Sequence, residues 1–232
     1  MKLKRSLLLT TTFVLAACGT QVDGTDRGLA LASVHGTLTS ARTITPAEAD
    51  VSLAWVVTAP SGGDYALGVT VPVTGSFPAS FEVNVYEPPP ALALNDYGLD
   101  GEAHVGVAYI LATDREIFDG APGPGMLGAS PDHVLVYVDA AVVPGSRVHD
   151  EMFHTPLTVG YHLMRLVPRT AAELAAINTC RDGISMDLSG DAYEAAVRAC
   201  GSTFDQFQPA AGESVSIEMT DDSLDVVLPN WT

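Results

Sequence analysis

The residues best suited to bind a metal ion form one short cluster, His149-Asp150-Glu151-Met152-Phe153-His154. Imidazole and carboxylate groups are good ligands for Zn²⁺. The spacing is not the His-Glu-x-x-His pattern of zinc hydrolases, and residues five positions apart on an α-helix lie about 140° apart around its axis. Pro144 and Pro156 flank the cluster and favour a loop. A metal-dependent hydrolase centred on His149 and His154 therefore needs a loop that brings both imidazoles together.

A second group of candidate ligands is acidic. Asp114, Glu116 and Asp119 follow directly after a long apolar run. Carboxylates this close together could surround Ca²⁺, which takes six to eight oxygen ligands. The order of an EF-hand loop is absent, because Phe118 occupies the fifth position and Asp119 the sixth, where glycine is required. A calcium-stabilised adhesion or binding module is the alternative function that these residues suggest.

Signals for a catalytic nucleophile are poor. No Gly-x-Ser-x-Gly motif occurs, and Gly128 to Asp132 has the composition of a turn. Ser146, His149 and Asp150 are neighbours in sequence, but a catalytic triad is assembled by the fold and not by adjacency. The phosphate-binding and dinucleotide-binding glycine motifs are also missing. The sequence therefore predicts a protein without enzymatic activity and without a cofactor.

The first eighteen residues follow the pattern of an export signal. Met1 to Arg5 is basic, and Ser6 to Val14 is uncharged and too short to span a membrane, which needs roughly 20 apolar residues. Leu15-Ala16-Ala17-Cys18 resembles the bacterial lipobox, in which a diacylglycerol is joined to the cysteine sulfur before cleavage. This resemblance implies a signal peptide of residues 1–17 and a chain anchored through lipid on Cys18. An ordinary signal peptide with a chance cysteine is the alternative.

The residue after the cysteine bears on location. In Gram-negative lipoproteins, an aspartate at this place tends to retain the protein at the inner membrane, and Gly19 stands there instead. The resemblance therefore implies the cell envelope, with the outer membrane as the anchoring membrane. A lipoprotein anchor supplies two or three acyl chains, and stable anchoring requires at least two.

The charge of the chain excludes one class of partner. Its formal net charge is −17 at pH 7. Removal of Lys2, Lys4 and Arg5 with the signal leaves eight basic residues against 28 acidic ones, or −20 over the remaining 215 residues. Such a surface repels nucleic acid and anionic lipid headgroups. No nucleic-acid partner is expected.

The other two cysteines favour a disulfide. Cys180 and Cys200 form an even pair in an exported chain. A bridge between them closes a loop that stabilises the chain by about 3 kcal/mol in the chain-entropy model. They lie in the segment 170–201, where Thr170-Ala171-Ala172-Glu173 forms a capping box that opens a helix. A small helical insertion, stapled by the disulfide and covering a sheet face, is therefore expected over this segment.

The rest of the chain has the period of β-strands. After a tether over residues 18–32, two alternating runs, at 51–57 and 65–73, are separated by a hairpin-type turn. Residues 103–113 are apolar on both faces, which is typical of a central strand. A Gly- and Pro-rich loop is expected over 119–131. The pattern predicts one antiparallel β-sandwich domain over 33–232, with an alternative boundary near 88–100.

Four short stretches carry a further resemblance. They are Gly75 to Val83, Pro88-Pro89-Pro90, Gly106 to Tyr109 and Leu127 to Ser130. Over residues 33–140 they resemble uncharacterised lipoproteins of GC-rich Gram-negative bacteria. This resemblance implies an immunoglobulin-like or transthyretin-like sandwich and brings no established activity. The resulting hypothesis is a lipid-anchored envelope module that binds a protein or a glycan, or has a structural role, without catalysis.

Overall fold

The chain is mostly β, with two sheets and two short α-helices among the described residues. A computed structural model describes residues 28–42, 48–57, 64–96, 101–114, 125–201, 203 and 206–221. The strands are β1 (Ala32–Ser40), β2 (Glu48–Val57), β3 (Asp64–Thr74), β4 (Ala79–Val85), β5 (Asn95–Asp96), β6 (His104–Thr113), β7 (Met126–Val138), β8 (Gly160–Val167), β9 (Gln206–Pro209) and β10 (Val215–Met219), and the helices are α1 (Ala171–Asp182) and α2 (Asp191–Ala199).

The smaller sheet has three strands in the order β10-β1-β4. Its residues alternate between two environments, as a half-buried sheet requires. Val34 and Leu38 on β1 and Val83 on β4 are fully buried, while His35 and Glu82 point outward and are exposed. Both strands are therefore half-buried. The outward face of this sheet is polar.

The larger sheet has seven strands, with β3-β2-β6-β7-β8-β9 in order and β5 beside β6. One of its faces packs against the apolar face of the smaller sheet in a shared core, which includes Leu53, Ile110 and Leu135. Its other face is covered by the segment between β7 and β8, where Val148 and Phe153 are buried. β6 is therefore enclosed on both sides, as its two apolar faces predicted.

One strand pair departs from the antiparallel expectation. β10 lies parallel to β1, with Gly36 opposite Val215 and Ser40 opposite Met219. The two strands are about 180 positions apart in sequence, and alternation within a strand carries no information about a partner that distant. The antiparallel prediction is thus wrong for this pair and right for the other pairs that the structure describes.

The loop expected over 119–131 is wrong in its second half. β7 begins at Met126, and its residues 126–130 are buried against the end of β6. The turn expected from Gly128 to Asp132 is instead part of this strand. A register shift opposite Tyr109 and Leu111 accommodates the extra residues, which include Pro131. Proline has no backbone N–H to donate and is tolerated at such an irregularity.

The helical insertion is present and carries the expected staple. Thr170 accepts the backbone N–H of Glu173, and the Glu173 side chain accepts the backbone N–H of Thr170, which confirms the capping box. The Sγ atoms of Cys180 and Cys200 are bonded, which confirms the disulfide. The expectation that the insertion covers a sheet face is wrong. Ile177 is the one buried residue of the two helices, because their Ala-rich sequences carry too few large apolar side chains to form a packing face.

Breaking the staple should therefore loosen the helices and leave the sheets intact. In Cys180→Ser/Cys200→Ser, the loss of about 3 kcal/mol of loop restraint should speed amide exchange in α1 and α2 by about 100-fold. Exchange in β6 and β7 should stay at the level of the oxidised chain, because neither helix packs along a sheet. Hydrogen–deuterium exchange with mass spectrometry measures both. Equal acceleration in β6 would contradict the peripheral position of the insertion.

Candidate functional site

A groove of about 450 Å³ opens on the outward face of the smaller sheet. A volume of this size is typical of pockets that hold small molecules. Strands β1 and β4 and the residue before β10 form its walls. Its lining residues are His35, Gly36, Thr37, Ser80, Phe81, Glu82 and Ser214.

Strand register places these side chains together. His35 is opposite Glu82, and Thr37 is opposite Ser80, on the antiparallel pair β1 and β4. Directly opposed residues have Cβ atoms about 5 Å apart. Their side chains all point outward, because they alternate with the buried positions of the same strands. Residues that are 43 and 47 positions apart in sequence thus form one continuous polar surface.

Gly36 lets two neighbours approach β1 closely beneath the groove. A Cβ atom at this position would lie 2.6 Å from Cζ of Phe81 and 2.1 Å from the carbonyl oxygen of Val215. Glycine therefore lets the ring and β10 approach β1 closely. Phe81 alternates with the outward Glu82 and is 6% exposed, so its ring packs in the core on the inner face of the sheet.

The groove offers both donors and acceptors of hydrogen bonds. The three hydroxyl groups of Thr37, Ser80 and Ser214 can each donate and accept. The Glu82 carboxylate accepts a bond from Asn84 Nδ2 at 3.3 Å and keeps capacity for more. His35 adds an exposed imidazole. The site therefore suits a ligand with many hydroxyl groups.

Polar contacts of the buried His133 side chain fix the wall that carries Ser214. His133 has 7% of its side chain exposed, and its two ring nitrogens face carboxylates on either side. Nδ1 lies 2.7 Å from Asp132 and Nε2 lies 3.3 Å from Glu213, which Arg165 also contacts at 3.4 Å. Glu213 immediately precedes Ser214, so this cluster holds the chain at the entry to β10.

Ser130 lies beside this cluster but does not form the serine–histidine pair of a catalytic triad. Its Oγ accepts the backbone N–H of His133 at 3.0 Å, and it is 1% exposed. A serine nucleophile requires its hydroxyl to bond to the imidazole of the base. Both ring nitrogens of His133 instead face Asp132 and Glu213. The hydroxyl of Ser130 instead accepts a backbone hydrogen bond within the irregular part of β7.

The histidine cluster forms a π-turn rather than the expected loop. Residues His149–Phe153 are π-helical, and the backbone N–H of His154 donates to the carbonyl oxygen of His149 at 2.7 Å. His154 ends the turn with φ at 52° in the left-handed region, which costs energy for a residue other than glycine. Single π-turns of this kind occur often at functional sites.

Two side chains of this turn, those of Asp150 and His154, have lowered pKa values. His149 Nδ1 lies 2.7 Å from Asp150 Oδ1, and this hydrogen bond lowers the pKa of the Asp150 carboxyl. Partial burial lowers the pKa of His154, and the nearby charges of Arg169 and His149 lower it further.

Carboxylates hold the turn in place from both ends. The Glu102 carboxylate accepts the backbone N–H groups of Arg147 at 3.1 Å and Val148 at 3.3 Å, where the chain enters the turn. Glu151 pairs with Arg147 at 3.0 Å and with Arg198 on α2 at 3.6 Å. The turn is thereby connected to β6 and to the helical insertion.

The other sequence-predicted ligands are only partly described. Asp114 follows β6, and its backbone N–H donates to the carbonyl oxygen of Gly125. Glu116 and Asp119 lie outside the described residues, as does Cys18. Across the described ranges, no three His, Cys, Asp or Glu side chains are grouped so that they could hold a metal ion. In the same ranges, no helix is both long and apolar enough to cross a membrane.

Sequence reasoning missed the groove residues His35 and Glu82. The available signal was the polar alternation of two strands that each had a buried face.

Comparison with protein-family models, with curated proteins and with solved structures gave no match to this chain.

Proposed function

We propose that this protein is a lipid-anchored module of the cell envelope that binds a neutral glycan in the groove between β1 and β4. The observation that carries the proposal is the convergence of an imidazole, a carboxylate and three hydroxyl groups on one outward face. Sugars present hydroxyl groups that both donate and accept hydrogen bonds. The polar lining of the groove is complementary to them.

The negative charge of the chain favours a neutral glycan over an acidic one. Glu82 is the only charged carboxylate that lines the groove, and the chain as a whole has a net charge of −17. An anionic polymer would be repelled by this field. Neutral sugars meet no such repulsion. We expect no nucleic-acid partner, because its phosphates would be repelled in the same way.

We also propose that the two sheets form a β-sandwich of the immunoglobulin-like or transthyretin-like kind. The support is the core that both sheets share, to which β1, β4 and β10 contribute from one side and β2, β6 and β7 from the other. Strands bury their backbone hydrogen bonds within the sheets and position side chains more precisely than loops do. A groove on such a face would be preformed before the ligand binds.

The proposed anchor would hold the groove near a membrane. Cys18 is the proposed lipid attachment, and His35 follows it by 17 positions. A chain of this length spans at most about 60 Å. The groove would therefore sample ligands within that distance of the bilayer, which is consistent with a glycan of the envelope.

Binding without catalysis is the function that these contacts support. Hydrolysis of a glycosidic bond uses two carboxyl groups on either side of the bond, and Glu82 alone lines the groove. Asp132 and Glu213 each contact a ring nitrogen of His133 and do not line the groove. We propose a binding module for these reasons, and its retention of intact oligosaccharide over time is a direct check.

A charge-neutral substitution at the groove tests the proposal. Glu82→Gln should weaken the binding of short neutral oligosaccharides about tenfold or more, because a hydrogen bond to a charged group contributes about 1.5–3 kcal/mol. Glu218→Gln is the matched control, since Glu218 is an exposed outward residue of β10 in the same sheet and does not line the groove. Isothermal titration with oligosaccharides of glucose and of N-acetylglucosamine measures both. Equal loss in the two variants would contradict a site at the groove.

A further inference from the structure

One end of the two sheets is the end at which β1 begins. In the smaller sheet, β1 starts opposite Val85, the last residue of β4. In the larger sheet, Val138 at the end of β7 pairs with Gly160 at the start of β8. The hydroxyl group of Tyr161 donates to the carbonyl oxygen of Glu87 at 2.6 Å and so joins these two places. We call this end of the molecule the tether end, because the residues before β1 lead into it.

Four large apolar side chains are exposed at the tether end. Leu29 is 95% exposed, and Leu31 is 54% exposed although its backbone N–H bonds to the carbonyl oxygen of Val85. Leu92 is 60% exposed and Val159 is 58% exposed. Single exposed leucines are ordinary on a protein surface, but several in one region indicate a surface that meets a partner or a membrane.

The backbone that carries Leu92 is fixed. Leu92 is the middle residue of a 3-10 turn, Ala91–Ala93, and both Pro89 and Ala93 beside it are buried. A Cβ atom at Gly106, near the start of β6, would lie 3.3 Å from the carbonyl oxygen of Ala93. The turn is therefore packed against the larger sheet, and it directs its leucine away from the core.

The backbone around Val159 is fixed as well. Leu157 is buried, and it exchanges backbone hydrogen bonds with Val142 at 2.9 and 3.1 Å. The carbonyl oxygen of Thr158 accepts a hydrogen bond from His162 Nε2 at 2.7 Å. Val159 then leads directly into β8. Its side chain is thus exposed although the residues on either side are held in place.

The length of the tether indicates what covers this end. The argument rests on the lipid attachment at Cys18 that the proposed function includes. Gly28, the first described residue, follows Cys18 by ten positions, and a chain of that length spans at most about 35 Å. Leu29 and Leu31 come directly after Gly28. The exposed apolar side chains therefore lie on the part of the folded chain that the tether holds nearest to the bilayer.

The charges at the tether end select the kind of lipid. Glu87 and Asp139 are exposed there, and Asp139 Oδ2 lies 2.7 Å from His104 Nδ1. Carboxylates repel anionic headgroups, as does the negative charge of the whole chain. A zwitterionic surface, such as phosphatidylcholine or phosphatidylethanolamine, meets no such repulsion.

We propose that the tether end docks on a zwitterionic bilayer surface through Leu29, Leu31, Leu92 and Val159. These side chains enter the boundary between headgroups and acyl chains, as the apolar faces of peripheral proteins do. The docked end fixes an orientation that a flexible tether alone leaves free. The glycan groove lies on the outward face of the smaller sheet and stays open at the side of the molecule.

Tryptophan placed at the tether end tests the docking. The full lipidated chain is reconstituted on phosphatidylcholine vesicles, with and without bromine on the acyl chains, because bromine quenches a tryptophan that it contacts. After subtraction of the wild-type signal, the emission of Leu92→Trp should fall about twofold or more, since docked apolar side chains reach the acyl boundary. Leu31→Ser in the same chain should reduce this quenching, because the binding strength scales with the apolar area that is buried.

Ser76→Trp is the matched control. Ser76 is exposed in the turn between β3 and β4, at the opposite end of the sheets, and its tryptophan should keep its emission on brominated vesicles. A headgroup-bound gadolinium chelate gives a second measurement, on the unmodified chain. The amide NMR signals of Leu31, Leu92 and Val159 should broaden before that of Ser76.

The possible failures of the docking and of the anchor are distinguishable. Equal quenching at residues 92 and 76, or broadening that begins at Ser76, would overturn the docking. Emission of Leu92→Trp that shifts to the blue without quenching would show that a second copy of the chain covers this end, and would overturn the docking too. Each of these results leaves the anchor and the glycan groove standing. A wild-type chain that does not float with the vesicles would contradict the anchor itself, and the docking with it.

Discussion

Replacing Gly128 with alanine should lower the free energy of unfolding by about 3 kcal/mol, the upper part of the usual range for an overpacked core. A Cβ atom at this position would lie 2.2 Å from the carbonyl oxygen of Glu218 and 3.2 Å from Cγ2 of Ile217. Both belong to β10, which crosses β7 at this point. Backbone cannot rotate away as a side chain can, so the two strands must separate.

The loss of stability is measured as a fall in the melting temperature. For a chain of this size, about 3 kcal/mol corresponds to a fall of about 10 °C. Gly183→Ala is the matched control, because Gly183 follows α1 with φ at −83° and is exposed. At this position alanine lowers the conformational entropy of the unfolded chain. The free energy of unfolding should therefore stay unchanged or rise by up to about 1 kcal/mol. A Gly128→Ala chain that melts within 2 °C or so of the wild type would refute the close crossing.

Replacing Cys18 with serine should abolish attachment of lipid. The thiol is the atom to which the diacylglycerol is joined in lipoproteins that carry the resembling motif, and serine offers no sulfur. Each buried methylene contributes about 0.8 kcal/mol to membrane binding, so loss of two or three acyl chains removes the anchor entirely. Metabolic labelling with radioactive palmitate should mark the wild type and leave Cys18→Ser unlabelled.

Cys180→Ser is the control for this experiment. It removes a thiol from the disulfide and leaves Cys18 in place, so it should keep the label and partition into a detergent phase as the wild type does. Label that persists in Cys18→Ser would show that lipid is attached elsewhere. Absence of label from the wild type would contradict the lipobox interpretation of residues 15–18.

Local patterns in the sequence predicted the local parts of the fold. β6 was recognisable because both of its faces are apolar, and the start of α1 because Thr170 and Glu173 have capping-box spacing. The disulfide was predicted from an even pair of cysteines in a chain whose first residues have the pattern of an export signal. Each of these inferences needs only residues that are close in sequence or few in number.

The parts that failed depend on distant residues. The partner of β10 is β1, at the other end of the chain, and only tertiary packing selects it. The residues 126–130 resembled a loop because they contain Gly and Ser, yet Gly128 is small because β10 lies against it. The groove was missed for the same reason, since its walls come from three strands far apart in sequence.

On an α-helix, His149 and His154 would diverge by about 140°. The chain instead forms a single π-turn at these residues. Sequence offers no clear signal for such a turn, because no residue type specifies it.

The most direct test of the central claim is to map where a neutral oligosaccharide contacts the folded chain. Amide NMR spectra should be recorded while N-acetylglucosamine and glucose oligomers are added. We predict that shifts concentrate at His35, Thr37, Ser80, Glu82 and Ser214, the residues that line the groove, and that Glu82→Gln reduces them. Shifts that concentrate elsewhere on the surface, or no shifts with either oligomer, would contradict the proposal that this groove binds a neutral glycan.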